Sequence, residues 1–450
     1  MRYIIGLLLL PILTLLILRQ PAQARSFSFI RDAEIEDTIR LFGAPLFAVA
    51  GLEPSAVRVY LVKDPSLNAF VAGGQKIFIN TGLLIASDNA NQVIGVIAHE
   101  TGHITGGHLA RSQDALRDAS AQSILAFVLG AAAAVAGQAG AGQAIIAGGT
   151  QLAQRSFLKY SRVQESSADQ AALSMLEQTG QSAKGMLVFF DKLGDQEALL
   201  TASQDPYVRT HPLTRDRVDT IRAHVARSAN SNVAERPVFV ERHSRMRAKL
   251  IAFLRSPVTT FRKYPAKDNS LSGRYARAIA RHKKRETDKA LALIEGLLAE
   301  HPRDPYFHEL RGQILLESGN AEAAVAPYER AVALRPNEAL LRIGLGQAQV
   351  SIENDTYIKA AVENMRRAVR LAPDNPSAWR WLGMAQGRLG NIGQAALATA
   401  ERYMLTGKFR DAAGQAARAE RALAKGTPGW LRAQDLKIAA EQAVKRRKNQ

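Results

Sequence analysis

A chain of 450 residues exceeds one ordinary core, and 47% hydrophobic with 22% charged residues is the balance of globular protein, which excludes disorder throughout. The absence of cysteine excludes a disulfide framework, a thiol nucleophile, thiolate metal ligands and a lipid-modified N-terminal cysteine. A formal net charge of +18 would ordinarily raise nucleic acid as a partner, but the N-terminus points to export, so no nucleic acid is expected. Anionic membrane surfaces and acidic polypeptides are the expected counterparts, with plain solubilising charge as the alternative.

Met1-Arg2, an apolar run over 3–18 and Ala22-Gln23-Ala24 match the three regions of a secretory signal peptide, with cleavage after Ala24. An uncleaved anchor helix is the alternative, but the run is short for a span. An exported chain of this size without disulfides fits the periplasm of a Gram-negative bacterium.

The pattern over 26–47 reads as one amphipathic helix. Residues 57–62 alternate as a strand, and 67–72 and 76–80, joined through Gly73-Gly74, read as a hairpin. An edge strand there could pair with an extended peptide. A helix follows over 91–111 and contains His99-Glu100-Thr101-Gly102-His103. Positions i and i+4 share a helix face, so His99 and His103 can offer two imidazoles to one metal ion, with Glu100 beside them as a base. Catalytic zinc normally takes three protein ligands and leaves a fourth position for water, so a third ligand is needed. His108 lies five residues past His103, about 500° round a helix, and is expected to point away from the metal face.

Residues 124–149 are rich in Ala, Gly, Val and Ile but interrupted by Gln138 and Gln143. They read as an apolar hairpin or loop at the cleft mouth that could touch membrane or unfolded client, with core helices as the alternative. Glu165 and Asp169 stand at i and i+4 on the next helix, so both carboxylates share one face. One can bind the metal while the other orients a ligand histidine. His211 stands just outside the start of a further helix carrying Arg217, where it could approach a metal-bound oxygen.

Residues 242–285 hold fourteen Lys or Arg against one acid, Asp268, and contain the expected linker. From 271 the chain becomes repetitive at about 34 residues. Gly312, Leu315, Gly319, Ala324, Tyr328, Ala331 and Pro336 occupy the small, aromatic and proline positions of a tetratricopeptide repeat, as do Trp379, Leu382, Gly383, Gly390 and Ala395. About four units are expected to about 423, a concave stack suited to peptides or partner proteins.

These motifs together resemble one family. Asn68-Ala69-Phe70, Thr81-Gly82-Leu83-Leu84, His99-Glu100-x-x-His103, Glu165-x-x-x-Asp169 and His211-Pro212 occur in the order found in the gluzincin metalloendopeptidases related to the CAAX prenyl proteases and heat-shock protease X. The repeats add a likeness to the periplasmic branch, the β-barrel assembly-enhancing proteases. The resemblance implies a mainly α protein, an α+β gluzincin-type zinc metalloprotease domain with a small β-sheet followed by an all-α solenoid. It implies one Zn2+ held by His99, His103 and Glu165, Glu100 as catalytic base, Asp169 supporting the site or donating a proton, and His211 near the metal for transition-state support or for closing the site. The expected organisation is signal peptide 1–24, metallopeptidase 25–255, basic linker 256–270, repeats 271–425 and basic tail 426–450, with 445–448 disordered. The expected function is cleavage of misfolded or stalled envelope proteins, with clients or the outer-membrane assembly machinery held by the repeats and peripheral membrane contact as a further partner. The rivals are an assembly factor or chaperone for outer-membrane β-barrels whose protease site is largely silent, and a purely structural zinc site.

Overall fold

The computed structural model describes residues 28–112, 139–199 and 211–448, together with a few positions between 114 and 125. The signal peptide expected at 1–24 and the first half of the apolar stretch lie outside the described residues, apart from Leu125.

The segment expected as one helix over 26–47 divides in two. Phe29–Ile30 forms strand β1, and helix α1 spans Ala33–Val49. The break falls at Asp32, whose extended backbone and carboxylate, accepting from Ile35 N at 2.9 Å, set the helix start. Strands β2 (Arg58–Val62), β3 (Ala69–Val71) and β4 (Lys76–Asn80) complete a sheet of order β1-β2-β4-β3. β3 and β4 are an antiparallel hairpin with Phe70 opposite Phe78, whereas β2 runs parallel to β4. Among the described residues β3 is therefore an edge.

Helix α2 (Thr81–Ala86) leads into α3 (Ala90–Thr105), which Asn89 caps by accepting from Gln92 N. From Ala90 to His103 every residue except Asn91 is buried, because α1, β3, α4 (Ala139–Gln178) and α5 (Lys184–Leu199) pack around the helix. A Cβ added at Gly102 would lie 2.6 Å from Ala168 O, so this glycine lets α3 and α4 approach closely just where both carry polar side chains. The apolar stretch is not a loop throughout, since its second half, 139–149, forms the first turns of the forty-residue α4. Among the described residues no helix is long and apolar enough to cross a membrane.

After α6 (Arg215–Arg227), helix α7 (Pro237–Leu254) serves two cores. Phe239, Met246 and Leu250 join the N-terminal core, while Ala248 and Ala252 pack with Tyr275, Ile279 and Phe307 of the first repeats. The stretch expected as a linker, 256–270, contains a capped helix, α8 (Pro257–Lys263). The repeats run as α9 (Leu271–Lys283), α10 (Thr287–Glu300), α11 (Pro305–Glu317), α12 (Ala321–Leu334), α13 (Ala339–Val350), α14 (Asp355–Leu371), α15 (Pro376–Arg388) and α16 (Ile392–Leu405), followed by α17 (Phe409–Ala422) and α18 (Pro428–Lys448). The segment expected as a basic tail with a disordered end is thus a helix through Lys448. Ala433, Leu436 and Ala440 at helical spacing bury it against α17 and α16, and beside them Arg432 pairs with Glu401 of α16 at 2.6 Å and Lys437 with Glu420 of α17 at 3.1 Å.

The start of α1 inserts into the solenoid. Ala33 packs with Tyr306, Tyr328, Leu341 and Leu345. Fully buried Glu34 accepts from the Tyr275 hydroxyl at 2.7 Å and pairs with Arg245 at 2.6 Å and Lys249 at 3.3 Å. Elsewhere on this interface the Tyr60 hydroxyl donates to Asp374 at 3.0 Å, and Arg335 donates to Asp37 at 3.1 Å. Burial raises the Glu34 pKa, but Arg245 and Lys249 outweigh it and hold the carboxyl below its ordinary range. Glu309 differs: burial, with Asp32 and Glu34 nearby, pushes it up to about 8 despite Lys249. A carboxyl raised on folding binds its proton more tightly when folded, so the folded state loses relative stability as pH climbs from the unfolded value towards 8. Glu309→Gln is expected to raise the melting temperature, and by more near pH 8 than near pH 5. An equal gain at both would show that Glu309 is not a source of strain.

Candidate metal centre

Three elements bring their side chains to one point. Helix α3 supplies His99, Glu100 and His103, α4 supplies Glu165 and Asp169, and the segment leading into α6 supplies His211, all of them buried. His99 Nε2 lies 3.1 Å from His103 Nε2, 3.3 Å from His211 Nδ1 and 3.3 Å from Glu165 Oε2. Glu165 Oε1 lies 3.3 Å from His103 Nε2 and 3.2 Å from His211 Nδ1. Metal bonds of about 2.0–2.1 Å in a tetrahedron give a ligand-to-ligand edge of about 3.3 Å, which these separations match. Donor atoms from His99, His103, Glu165 and His211 lie within 4.8 Å of one another. The four can hold one metal ion.

Ligand orientation is fixed from behind. His99 Nδ1 lies 2.9 Å from Asp169 Oδ1, so donation to that carboxylate leaves the Nε2 lone pair facing the other ligands. Asp169 in turn accepts from Arg217 Nε at 2.6 Å and Nη2 at 2.9 Å. Arg217 Nη1 reaches Glu165 Oε2 at 3.0 Å and the Pro212 carbonyl at 2.8 Å, tying both carboxylates to the turn that carries His211. The guanidinium stacks over Phe190 at 5.0 Å.

Charge balance favours a cation. Burial would lower the His99 pKa, but Asp169 and Glu165 push it up to about 9. Burial would raise Glu165 and Asp169, yet His211 and the other histidines hold the first far below the carboxylate range, and Arg217 with His99 hold the second below it. Burial lowers His103. Both carboxylate oxygens of Glu100 are buried without a hydrogen-bond partner among the described residues, while His211 Nε2 is 3.6 Å from Oε1. A buried carboxylate without a hydrogen bond is costly, and the arrangement makes sense when its partner is a polar group presented at the ligand cluster.

His108 corrects the sequence expectation. The helix ends at Thr105, and Gly107 at φ +62° turns the chain, so helical angles do not extend to His108. Its ring folds back to place Nδ1 3.0 Å from His103 Nδ1. Burial, with His103 and Arg111 nearby, pushes its pKa down to about 4, which leaves a neutral ring able to steady His103. Arg217 is the site residue whose role the sequence reading missed.

This arrangement, HExxH on a buried helix with a glutamate from a second helix and a base at hand, is that of a metallopeptidase. Residues 32–225 match the model of peptidase family M48, and residues 275–339 and 358–404 match a tetratricopeptide-repeat model. The chain combines an M48 peptidase domain with such repeats, and it is a metalloendopeptidase. It is 26% identical over 398 residues to the β-barrel assembly-enhancing protease of Yersinia pestis, covering 86% of this chain and 80% of that protein. The Escherichia coli K12 protein of the same name is 25% identical over 399 residues, covering 86% and 79%. The metalloprotease LoiP of E. coli K12 is 29% identical over 170 residues, covering 38% and 62%. Among solved structures, the tetratricopeptide protein YrrB resembles 38% of this chain over 88% of its own, with 15% identity and a TM-score of 0.31.

Proposed function

We propose that this chain is an exported zinc endopeptidase of the periplasm that cleaves misfolded or stalled envelope proteins, outer-membrane barrels above all, while its repeats hold clients or the outer-membrane assembly machinery. The observation that carries the chemistry is the convergence of His99, His103 and Glu165 beside a buried Glu100 that lacks a hydrogen-bond partner. The client class rests on similarity along both domains to proteins named β-barrel assembly-enhancing protease.

In this reading His99, His103 and Glu165 hold the ion. Zinc, when bound, supplies an acidified water and a Lewis acid for the peptide carbonyl. Glu100 takes the proton of the attacking water and returns it to the leaving amine. Asp169 keeps His99 in its tautomer, and Arg217 keeps Asp169 in place. Edge strand β3 aligns an extended substrate by main-chain pairing.

His211 gives the site two states. With an ion held by His99, His103 and Glu165, His211 would supply a fourth donor in the place that catalysis reserves for water, so it would close the centre and would have to withdraw for cleavage. The same closed arrangement is what the silent-protease and structural-zinc readings need. His211→Ala separates them: zinc is expected to bind more weakly while casein cleavage becomes faster. Unchanged zinc affinity and unchanged rate would remove His211 from the mechanism. The reading as a whole is tested by zinc content and cleavage of an unfolded outer-membrane barrel by the purified chain. A chain that lacks zinc or leaves the barrel intact would sink it. N-terminal sequencing of the envelope-derived protein tests export, with Arg25 expected first.

A further inference from the structure

The two histidines that α3 sends to the donor cluster do not stand on equal supports. His99 Nδ1 lies 2.9 Å from a carboxylate oxygen of Asp169, whereas His103 Nδ1 lies 3.0 Å from another ring nitrogen, Nδ1 of His108. His103 turns its Nε2 to the cluster, 3.1 Å from His99 Nε2, so a ligand role there puts its proton on Nδ1. That N–H donates, and His108 Nδ1 must accept. His108 is thereby a neutral imidazole whose own proton sits on Nε2.

Three local features hold that acceptor in place. Gly107, at φ +62°, makes the turn that brings residue 108 back towards the helix end. A Cβ at Gly106 would lie 2.3 Å from His108 Nε2, so glycine leaves room for the ring where it lies. The His108 carbonyl accepts from Gln164 Nε2 at 3.2 Å and from Ser112 Oγ at 2.7 Å, and Gln164 directly precedes Glu165 on α4. The ring is buried and stands edge-on to His103, with 83° between the planes. Any apolar ring would serve packing here, and packing does not account for one nitrogen aimed at another.

We propose that His108 is a positioning residue of the metal centre: it accepts the Nδ1 proton of His103 and so fixes that ring in the tautomer and direction that present Nε2 to the ion. The proposal rests on the reading of His99, His103 and Glu165 as zinc ligands. The choice of a neutral acceptor has a physical consequence. A carboxylate behind a ligand histidine makes the imidazole a stronger electron donor, and the centre already buries Glu100, Glu165 and Asp169 with Arg217 as their cation. A neutral partner orients the second imidazole without adding a further negative charge beside a metal that would act as a Lewis acid.

Variants of the full-length chain test it, read by zinc affinity in chelator competition and by the melting temperature of the metal-free chain. His108→Phe keeps a ring and loses the acceptor, while His108→Asn gives up the ring but sets its amide oxygen where Nδ1 stands. Zinc affinity should fall by about 10–100-fold in His108→Phe with little change in the metal-free melting temperature. His108→Asn should recover most of that affinity although it packs less well. Gly106→Ala alters neither histidine but displaces the ring, and it should weaken zinc binding as His108→Phe does. This variant and His108→Asn keep the test alive if His108→Phe fails to fold. His108→Asp, with a charged acceptor, should hold zinc at least as tightly as the wild type and cleave denatured casein more slowly, and faster cleavage would overturn the case for a neutral partner. If His108→Phe holds zinc like the wild type while His108→Asn loses it, the ring packs and does not position, and the proposal fails. Equal zinc affinity in all variants overturns it as well, and leaves the zinc site standing. A wild-type chain that holds no zinc sinks the site reading itself.

Discussion

Glu100→Gln is expected to lower cleavage of an unfolded protein by about 10²–10⁴-fold, the span that a positioned general base contributes, while zinc stays bound. The two halves of that result separate because Glu100 is not in the donor set formed by His99, His103, Glu165 and His211. The substitution keeps shape and volume, and it removes a buried carboxylate that has no hydrogen-bond partner among the described residues, so the folded state should gain stability. A variant that is more stable, zinc-loaded and inactive is the signature of a base held ready at the expense of stability. The biological arm is decisive for the silent-protease rival. If cells carrying Glu100→Gln assemble their outer-membrane barrels normally under stress, proteolysis is not this protein's main task. Loss of zinc from the variant would instead place Glu100 in the ligand set.

What the sequence reveals, and what it hides, follows from range. His99 and His103 are legible because a helix brings i and i+4 to one face, and the same holds for Glu165 with Asp169. That the two helices meet depends on Gly102 against Ala168, which a reader of motifs passes over as a spacer. His108 escapes the helical angle because Gly107 turns the chain before it. The basic C-terminal segment reads as a tail because charge masks the spacing of Ala433, Leu436 and Ala440 that buries α18. The docking of Ala33 and Glu34 into the repeats joins residues more than two hundred positions apart, and nothing local announces it. Repeat glycines and prolines, by contrast, are legible because every unit must pack in the same way.

Arg217 shows the same limit at the centre of the site, and its removal carries the second large expected effect. A guanidinium on an ordinary amphipathic helix has no local mark of its partners, yet here it binds Asp169 through two nitrogens and reaches Glu165 and the Pro212 carbonyl with the third. Arg217→Met leaves two buried carboxylates without their fixed cation, which for buried pairs costs about 3–5 kcal/mol. A bound zinc ion would offset part of that cost, so the loss should be larger in the metal-free chain. Zinc affinity should fall by about 10–100-fold, as it does when a ligand's supporting partner is removed. The pH dependence distinguishes support of the ligand from general weakening. Asp169 is held below its usual range by Arg217 and His99 against the effect of burial, so its hold on His99 is present at neutral pH and fades as pH falls through the folded value. Without Arg217 that value rises, and zinc release on acidification should begin at a higher pH than in the wild type. Arg217→Lys keeps the charge but cannot reproduce the fork, and it should recover stability more fully than zinc affinity. If chelator competition shows Arg217→Met holding zinc as tightly as the wild type at every pH, the guanidinium braces the fold and not the metal centre.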